Sequence, residues 1–311
     1  MVDIMLENSE PPVFEISMFE DEPSHTQTIR NVCHYIHNHL DQDLNLEELA
    51  KFAGISPFHF HRIFNRLVGE TVKAHIRRLR LEKAAYKLKT REASILDIAL
   101  EAGYETHETF TRAFRKSFKL NPSAYRKRYQ LRDTPEDFPE HLKRLMDPNQ
   151  IRVERVPDLT MAFMRMSGPY TLCPEPLQPN SPWRVLQKAL HLRGLYQPSP
   201  TFLGICLDDP EITEAHKIRF DACITVPRDC SLKEDSFLRL GTYEGGWFVV
   251  VPHTGPFLEL TPTYEYMLYH WLPSSDYSMI NRPPMEIYLD PFADTDESPI
   301  IELYFPIDKP S

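Results

Sequence analysis

The alternation of hydrophobic and polar positions follows the same order twice in the N-terminal half of the chain. The first copy covers residues 46–69 and the second covers residues 95–119. In each copy, apolar residues at helical spacing lead to a glycine, Gly54 or Gly103, where a left-handed conformation can end a helix without a steric clash. A short turn and a second apolar helix follow. The pattern therefore predicts two helix–turn–helix units in tandem.

The second helix of each copy has an inward and an outward face. Phe60 and Phe64, and likewise Phe110 and Phe114, are spaced four residues apart and predict the inward faces. The outward faces carry side chains that can reach base edges and phosphates in a major groove. The alternative is a pair of ordinary helical hairpins with solvated faces, which the tandem repeat disfavours. The candidate DNA-binding residues are Phe58, His61, Arg62 and Arg66 in the first copy, and His107, Glu108, Thr111, Arg112, Arg115 and Lys116 in the second.

Arginine is the side chain best suited to reading guanine, because its guanidinium group can bind O6 and N7 together. Arg62 and Arg112 occupy the same point of the two outward faces and are the first candidates for sequence specificity. Arg66, Arg115 and Lys116 are expected at phosphates, where they set affinity and carry no sequence information. For each of these residues, the alternative is an exposed helix charge that makes no DNA contact.

Residues 71–89 join the two copies and predict one long helix with few interruptions. At a rise of about 1.5 Å per residue, this helix spans about 28 Å. Recognition helices in successive major grooves lie roughly 34 Å apart along the duplex. The helix is therefore a suitable spacer, and we expect a single chain to read two half-sites. Its Lys and Arg residues are expected either along the DNA backbone or on a solvated face.

The C-terminal half alternates predicted strands and helices. Two Gly-Pro-aromatic segments, at residues 168–170 and 255–257, each end a strand and precede a helix. This repetition predicts two similar α+β halves with a ligand cleft at their seam. The predicted fold is therefore multidomain, an all-α tandem helix–turn–helix domain followed by an α+β domain. The predicted strands are residues 151–156, 160–167, 201–207, 217–226, 237–243, 246–252, 284–290 and 300–306, and the helices lie near 181–194 and 259–271.

One carboxylate in this half has the surroundings of a cation-binding group. Glu286 alternates with Met285 and Ile287 along a predicted strand, so it shares the opposite face with Tyr288. A carboxylate among aromatic rings combines Coulomb attraction with cation–π contacts of about 0.5–2 kcal/mol each. The alternative is a half-exposed strand with a solvated glutamate and aromatic rings in the core. The candidate ligand-binding residues are Tyr170, Trp183, Tyr243, Trp247, Tyr264, Glu286 and Tyr288.

Charge is unevenly distributed, which changes what the net charge of −10 implies. Residues 25–132 contain 20 Lys and Arg against 11 Asp and Glu, a net charge of +9, whereas the rest of the chain carries −19. A basic block inside an acidic protein is typical of a nucleic-acid-binding module joined to another domain. The predicted organisation is a disordered acidic tail at 1–24, a DNA-binding domain at 25–132, a linker at 133–150 and the α+β domain at 151–311.

The remaining composition points to a cytoplasmic protein without a prosthetic group. The five cysteines are scattered and lack CxxC spacing, as is typical of reduced thiols. No apolar run of about 18 residues and no secretory signal is present, so we expect a soluble protein with no membrane partner. His34, His37 and His39 point to different faces of one predicted helix, so neither a metal site nor another cofactor is expected. No catalytic triad spacing or phosphate-binding glycine loop indicates an enzyme.

The tandem repeat resembles the DNA-binding domain of the AraC/XylS family of transcription regulators. The resemblance covers about residues 26–128. It implies base contacts from the early turns of both recognition helices, with double-stranded DNA and RNA polymerase as partners. The matching residues are Ile98, Ala99, Gly103, Tyr104, Phe110, Arg112, Ala113 and Phe114, followed by Asn121, Pro122, Ser123, Ala124, Tyr125 and Arg126.

The C-terminal half resembles the DNA gyrase inhibitor-like effector-binding domain. In that family a strand glutamate within an aromatic-lined cleft meets cationic, apolar ligands, and Glu286 stands at the matching position. The resemblance implies a regulator whose C-terminal domain senses a small-molecule effector. Some relatives of this domain are described as hydrolases, so a hydrolase and a ligand-free interaction module are the alternatives. The matching segments are residues 167–170, 220–226, 253–257 and 285–289.

Overall fold

The computed structural model describes residues 23–90, 93–130, 139–173, 176, 178, 180–231, 238–280, 282–289 and 300–308. Almost all of the predicted acidic tail lies outside the described residues, as does the first part of the predicted linker.

Among the described residues, seven α-helices form the N-terminal region. Helices α2 and α3 make up the first copy of the repeat, α5 and α6 make up the second, and α4 joins them. The predicted pair of helix–turn–helix units with one connecting helix is therefore confirmed. None of the helices among these residues is long and apolar enough to cross a membrane. The helices are α1 (Pro23–Asn38), α2 (Leu46–Phe52), α3 (Pro57–Val68), α4 (Val72–Thr90), α5 (Ile95–Glu101), α6 (His107–Phe118) and α7 (Pro122–Gln130).

The turn between the helices of each copy is built from the residues that the sequence places there. Gly54 and Gly103 adopt φ angles of 70° and 79°, in the left-handed region that favours glycine. The side chains of Ser56 and Thr106 then cap α3 and α6, each accepting a hydrogen bond from the backbone N–H three residues later, at 3.4 and 3.2 Å. Each turn therefore ends one helix and starts the next, and this fixes the outward face of the second helix.

Helix α4 belongs to two hydrophobic cores. Val72, Ile76 and Leu79 in its N-terminal half pack in the core of the first copy. Leu81 and Leu88 in its C-terminal half pack in the core of the second. Because protein cores are close-packed, each copy is held to its own part of this helix. The connecting helix therefore sets the placement of the two copies relative to each other.

The described residues of the C-terminal region contain eight strands in one antiparallel sheet. The strand order is β1-β6-β8-β7-β3-β4-β2-β5, with β7 and β3 paired at its centre. Each of the eight predicted strands is found. The strands are β1 (Arg152–Val156), β2 (Leu159–Ser167), β3 (Phe202–Cys206), β4 (Arg219–Thr225), β5 (Arg239–Tyr243), β6 (Gly246–Thr254), β7 (Met285–Tyr288) and β8 (Ile300–Ile307).

Two helices pack on one face of the sheet, which we call the helical face. They are α8 (Pro182–Leu192) and α9 (Leu260–Tyr266), and α9 continues into a π-helical segment, Met267–Trp271. The core on this face includes Trp183 and Tyr288, whereas Met285 lies in a separate core on the opposite face. Side chains alternate along a strand, so Glu286 points to the helical face, as its position in the sequence predicts.

The described part of the predicted linker packs against the C-terminal region. Leu142, Leu145 and Met146 are buried in the core of the helical face. The carbonyl of Leu145 accepts a hydrogen bond from the N–H of Thr254 at 2.7 Å. Residues 139–150 therefore contribute to the folding of the sheet domain, and they contain a short 3₁₀ helix, Glu140–Leu142.

The loop after β3 contacts the N-terminal helices. The Lys89 ammonium of α4 pairs with Asp209 at 2.6 Å and with Glu211 at 2.7 Å, and its side chain is only 2% exposed. Arg219, at the start of β4, makes a 3.1 Å hydrogen bond to the His37 ring of α1. These contacts join the helical region to the sheet domain at two points.

Candidate DNA interface and effector cavity

The predicted DNA-binding residues lie on the outward faces of α3 and α6. Phe60, Phe64, Phe110 and Phe114 are fully buried, so the opposite face of each helix points away from its core. Phe58, by contrast, is 81% exposed. Apolar burial on one side therefore leaves the other side of both helices accessible to a partner. The other exposed residues of the set are His61, Arg62, Arg66, His107, Glu108, Arg112, Arg115 and Lys116, and Thr111 is half-buried.

Helix α6 carries a shallow surface hollow that is rich in positive charge. Three of the lining side chains are cationic, and only Glu108 is acidic. Such a surface suits phosphate oxygens and the acceptor edge of guanine, which are both electron-rich. The structure thus brings together every predicted DNA-binding residue of the second copy. The hollow is lined by His107, Glu108, Thr111, Arg112, Arg115 and Lys116.

Most of the basic residues of α4 are engaged within the protein. Arg78 donates to two carboxylates at 2.7 and 3.1 Å, and Arg80 donates to two backbone carbonyls at 2.9 and 2.6 Å. Lys87 and Lys89 also pair with acidic side chains. A solvated face, which was one of the two expectations for these residues, does not hold for these four, because their charged groups have partners within the protein. Arg80, Lys87 and Lys89 hold α4 against neighbouring elements, because their partners lie outside this helix. The two partners of Arg78 lie on α4 and just before it.

One of the carboxylates that bind Arg78, that of Glu70, has a lowered pKa as a result. Its carboxylate lies 2.7 Å from Arg78 and 2.9 Å from the ring of His75. Burial alone favours the neutral acid, but the hydrogen bonds from His75 and Arg78 outweigh it and lower the pKa of Glu70 to about 2. The ion pair is therefore retained throughout the physiological pH range.

A cavity of about 520 Å³ lies against the helical face of the sheet. This volume is in the range of small-molecule binding sites, which is about 300–1,000 Å³. Its apolar walls come from the segments before β7, from α9 and from the aromatic residues that follow β2 and β6. The apolar and aromatic lining residues from the C-terminal region include Tyr170, Phe220, Phe257, Leu260, Tyr264, Leu268 and Met279.

Glu286 lies in this cavity and is only 3% exposed. Its Oε1 accepts hydrogen bonds from the Tyr264 hydroxyl at 3.1 Å and the Cys206 thiol at 3.3 Å, and its Oε2 accepts one from the Tyr288 hydroxyl at 2.5 Å. Burial raises the pKa of Glu286, although the three hydrogen bonds oppose the shift. No Lys, Arg or His among the described residues pairs with this carboxylate. The alternative of a solvated glutamate on a half-exposed strand is therefore wrong for Glu286.

The two tyrosines remain hydrogen-bond donors. Burial, together with neighbouring acidic groups, raises the pKa values of Tyr264 and Tyr288 well above their usual value. Both hydroxyls therefore stay protonated and orient the carboxylate of Glu286. The site is a buried acceptor held by neutral donors, which is an arrangement that can receive a cation.

The structure brings only part of the predicted ligand-binding set to the cavity surface. Tyr170, Tyr264 and Glu286 line it. Trp183 and Tyr288 are buried beneath the surface, in edge-to-face contact with ring centroids 5.1 Å apart. They support the site without lining it.

Tyr243 and Trp247 are not brought to the cavity. Tyr243 lies in the core on the opposite face of the sheet, and its hydroxyl donates to the carbonyl of Pro283 at 2.6 Å. Trp247 packs at the edge of the core on the helical face, away from the cavity lining. Both rings were predicted because they are aromatic. Residue type does not show on which face of the sheet a ring lies, or how far it is from Glu286.

Several contributors to the cavity were missed from the sequence, and two of them bear directly on Glu286 and on the N-terminal region. Cys206 is at the end of β3 and touches Glu286, which lies on the neighbouring central strand. Alternation along β3 is a signal that could have placed Cys206 on the helical face. The second contributor is helix α4 of the N-terminal region, and no local signal in the sequence connects it to this cavity. In the part of the chain that the structure describes, no group of three or more His, Cys, Asp or Glu residues is arranged to hold a metal ion.

Comparison with known proteins matches a family model to each of the two regions. Residues 49–128 match a helix–turn–helix domain model, and residues 149–308 match the model of the GyrI-like small molecule binding domain. The second match covers slightly more than half of the chain. The regulatory protein SoxS of Salmonella typhimurium is 41% identical over 105 residues, which are 34% of this chain and 98% of SoxS. The chain belongs to the AraC-type regulators with a GyrI-like small-molecule binding domain.

Other relatives of this AraC-type regulator match over a similar length. The transposon Tn10 TetD protein of Escherichia coli is 38% identical over 109 residues, which are 35% of this chain and 79% of TetD. The right origin-binding protein of Escherichia coli is 41% identical over 99 residues, which are 32% of this chain and 34% of that protein. The resemblance drawn from the sequence motifs is confirmed. The chain is a DNA-binding transcription regulator with an effector-binding domain, and neither matched family model describes a catalytic activity.

Proposed function

We propose that one copy of this AraC-type regulator reads two successive major-groove half-sites on one side of a duplex. The observation that carries the proposal is the pair of matching outward faces on α3 and α6. Both are exposed, and α4 is anchored in both cores. A helix of 19 residues spans about 28 Å, which is close to the roughly 34 Å repeat of the major groove.

The outward-facing side chains divide into two roles in this proposal. Arg62 and Arg112 read guanine through bidentate hydrogen bonds, and Phe58 contacts a thymine methyl group. His61, His107, Glu108 and Thr111 add contacts near the same bases, where Glu108 can accept a hydrogen bond from cytosine N4. Arg66, Arg115 and Lys116 bind phosphates and set affinity, because phosphate contacts release counterions without reading sequence.

We further infer that the effector is a small, apolar molecule with one positive charge. Glu286 is buried without a cationic partner among the described residues, and an isolated buried carboxylate is costly unless it is paired or protonated. A cation that enters the cavity supplies the missing charge, while its apolar body contacts Tyr264, Leu260 and Met279. The 520 Å³ volume admits a ligand of this kind.

The effector proposal is tested with a lipophilic cation, tetraphenylphosphonium, titrated into the full-length protein by calorimetry. Glu286→Gln removes the charge and is expected to weaken binding at least about tenfold, because an opposite charge is lost from a low-dielectric site. Glu265→Gln is the matched control, since Glu265 lines the same cavity but is exposed to solvent. Equal affinities for Glu286→Gln and the unmodified protein would remove Glu286 from the site.

The sheet domain is proposed to consist of two similar halves. The strand order has an internal symmetry. If β1, β2, β3 and β4 are exchanged with β5, β6, β7 and β8, respectively, every strand keeps the same neighbours. The Gly-Pro-aromatic segments follow β2 and β6, and each leads into a 3₁₀ turn, Tyr170–Leu172 or Phe257–Glu259. In this view the central pair, β3 and β7, is the seam, and the pair carries Cys206 and Glu286 at the cavity.

The remaining inferences concern the setting of this regulator. We infer that it acts in the cytoplasm, that RNA polymerase is its partner at promoters, and that it is not an enzyme. The two matched models, which describe DNA-binding and small-molecule binding domains, support this assignment over a hydrolase. Co-purification of RNA polymerase on a promoter fragment, with and without this protein, tests the partner. Turnover of ester or amide substrates by the purified chain would contradict the assignment as a non-enzyme.

A further inference from the structure

One wall of the effector cavity belongs to the DNA-binding region. Leu79, Glu82, Lys83 and Tyr86 of α4 all line the cavity that contains Glu286. Their spacing of three, four and seven residues places them on one face of the helix. The sheet domain alone therefore does not enclose the site, and a ligand that fills the cavity touches both regions of the protein.

The same helix is the connection between the two DNA-reading copies. The opposite ends of α4 are packed in two separate cores, and Leu79 belongs both to the first core and to the cavity wall. Close-packed side chains transmit a displacement, because a core leaves few voids in which it can be absorbed. A displacement of α4 at the cavity wall would therefore also displace the helix that sets the spacing of the two recognition helices.

Contacts across the cavity already hold α4 to the sheet domain. The Tyr86 hydroxyl lies 3.8 Å from the sulfur of Met279, and Lys89, one turn further along, is paired with Asp209 and Glu211. A ligand between α4 and the sheet would alter the first of these contacts. Between α4 and the sheet domain, a ligand can therefore replace the contact of Tyr86 with Met279, while the ion pairs of Lys89 keep the two regions attached.

Resting on the proposed cation site, we propose that α4 completes the effector site and that Lys83 and Tyr86 face the bound cation from the DNA-binding region. Glu82 on this wall is paired with Arg78 at 3.1 Å, and Lys83 is the cationic side chain of α4 that lines the cavity. Glu286 attracts the ligand from the sheet side, and Lys83 opposes it from the helix side. Tyr86 provides an aromatic face for the same ligand.

Coupling between effector and DNA follows from this arrangement. If the cation binds more tightly to one placement of α4, it increases the population of that placement and so changes the affinity for DNA. Bound DNA must then change the affinity for the cation by the same factor. Coupling of this kind is typically about 5- to 150-fold. The affinity of tetraphenylphosphonium measured with and without bound DNA should therefore change by the same ratio as the affinity of DNA measured with and without the cation.

Charge reversal on α4 is the sharpest test. In the full-length protein, Lys83→Glu should bind tetraphenylphosphonium about 3- to 10-fold more tightly, because a repulsive charge at the cavity becomes attractive. Lys73→Glu is the matched control, since it makes the same charge change on an exposed position of the same helix that does not line the cavity. Its cation affinity should not change.

Removal of the ring provides a second readout. Tyr86→Ala should weaken cation binding several-fold, whereas Tyr86→Phe should retain it because the aromatic face is kept. If Glu286→Gln loses the cation but Lys83→Glu and Tyr86→Ala bind it as the unmodified protein does, α4 is not part of the site and the inference is overturned while the proposed function stands. If tetraphenylphosphonium does not bind the unmodified protein, both fail together. Identical DNA affinity with and without saturating cation overturns the coupling.

Discussion

Two carboxylates, one in the helical region and one in the sheet domain, have opposite electrostatic surroundings. Glu70 lies against Arg78 and His75, and these partners lower its pKa to about 2. Among the described residues, the side chains that donate hydrogen bonds to Glu286 are neutral, and burial raises its pKa. The comparison shows how each region uses charge. Glu70 is paired within the helical region, whereas Glu286 has no cationic partner among the described residues, which is what the proposed cation site requires.

The same contrast applies to the functional side chains. The residues proposed to contact DNA project from the protein surface, with Phe58 81% exposed, whereas Glu286 is 3% exposed. Exposed side chains can be changed with little effect on folding, because few native contacts are lost. Changes at the cavity act on binding and on the packing of the sheet domain together. The two regions should therefore respond differently to substitution, to pH and to salt.

The largest expected effect concerns base reading by the helical region. Arg62→Ala or Arg112→Ala should cost about 1–3 kcal/mol on a specific DNA site, because a bidentate contact to guanine is lost. The site is obtained by selecting random duplexes with the unmodified protein, and affinities are measured by fluorescence anisotropy. The thermal unfolding midpoint and the affinity for tetraphenylphosphonium should not change.

Arg62→Lys and Arg112→Lys serve as controls for this prediction, because lysine keeps the charge but cannot form the planar bidentate contact. These variants should lose base preference while keeping most of the affinity for random DNA. Equal losses on selected and random duplexes would reassign the two arginines to phosphates and leave the base reading to other residues.

The next effect is the response of the cavity to pH. Cation binding requires the Glu286 carboxylate, so tetraphenylphosphonium affinity should fall as the pH is lowered through the pKa of this group, by up to about tenfold per pH unit below it. Since that pKa lies above its usual value of 4.5, the loss should begin at a higher pH than for an ordinary glutamate. Calorimetric titrations across a pH series provide the measurement. A pH-independent affinity would contradict the role of Glu286.

A smaller effect is expected at the phosphate-binding positions. Arg115→Ala should weaken binding to all duplexes by a similar factor and reduce the slope of log affinity against log salt by about one. Lys73→Ala is a matched control, because it removes an exposed positive charge from outside the two recognition helices. Loss confined to the selected site would show that Arg115 reads a base.

The smallest effect is the acid stability of the helical region. A glutamate with a lowered pKa stabilises the folded state above its unfolded pKa, and that stabilisation is lost as the pH falls toward the folded pKa, here from about 4.5 to about 2. Glu70→Gln should therefore flatten the decrease in unfolding free energy over this window. In the ligand-free protein, Glu286→Gln should act in the opposite direction, because a raised pKa makes the folded state lose stability as the pH rises. Urea unfolding at several pH values checks both signs.

Much of the helical region could be predicted because its signals are local. The glycines at 54 and 103 and the capping residues Ser56 and Thr106 act within one turn of the backbone, so their spacing is enough to place α3 and α6. Burial of one apolar face then decides which side chains point outward. The eight strands and the orientation of Glu286 were predicted for the same reason, since alternation along a strand is also local.

The effector site could be predicted only in part, because a cavity depends on the distances between elements. Tyr264 and Glu286 come together, but Tyr243 falls on the other face of the sheet and Trp247 at the edge of the core. The choice of aromatic residues by type could not separate these cases. The ion pairs of Arg78 with Glu70 and of Lys89 with Asp209 were not predicted either. They also depend on distances that the sequence does not show.

The sequence by itself determined the helix–turn–helix repeat, the connecting helix, the strands and the family, because periodicity, caps and motifs act over a few residues. Only the tertiary structure decided that Glu286 has no cationic partner among the described residues and that α4 forms a wall of its cavity. Those facts depend on contacts between residues about 200 positions apart in the chain, such as Tyr86 with Met279. The free energy of such contacts is set by packing, and packing is a property of the assembled fold.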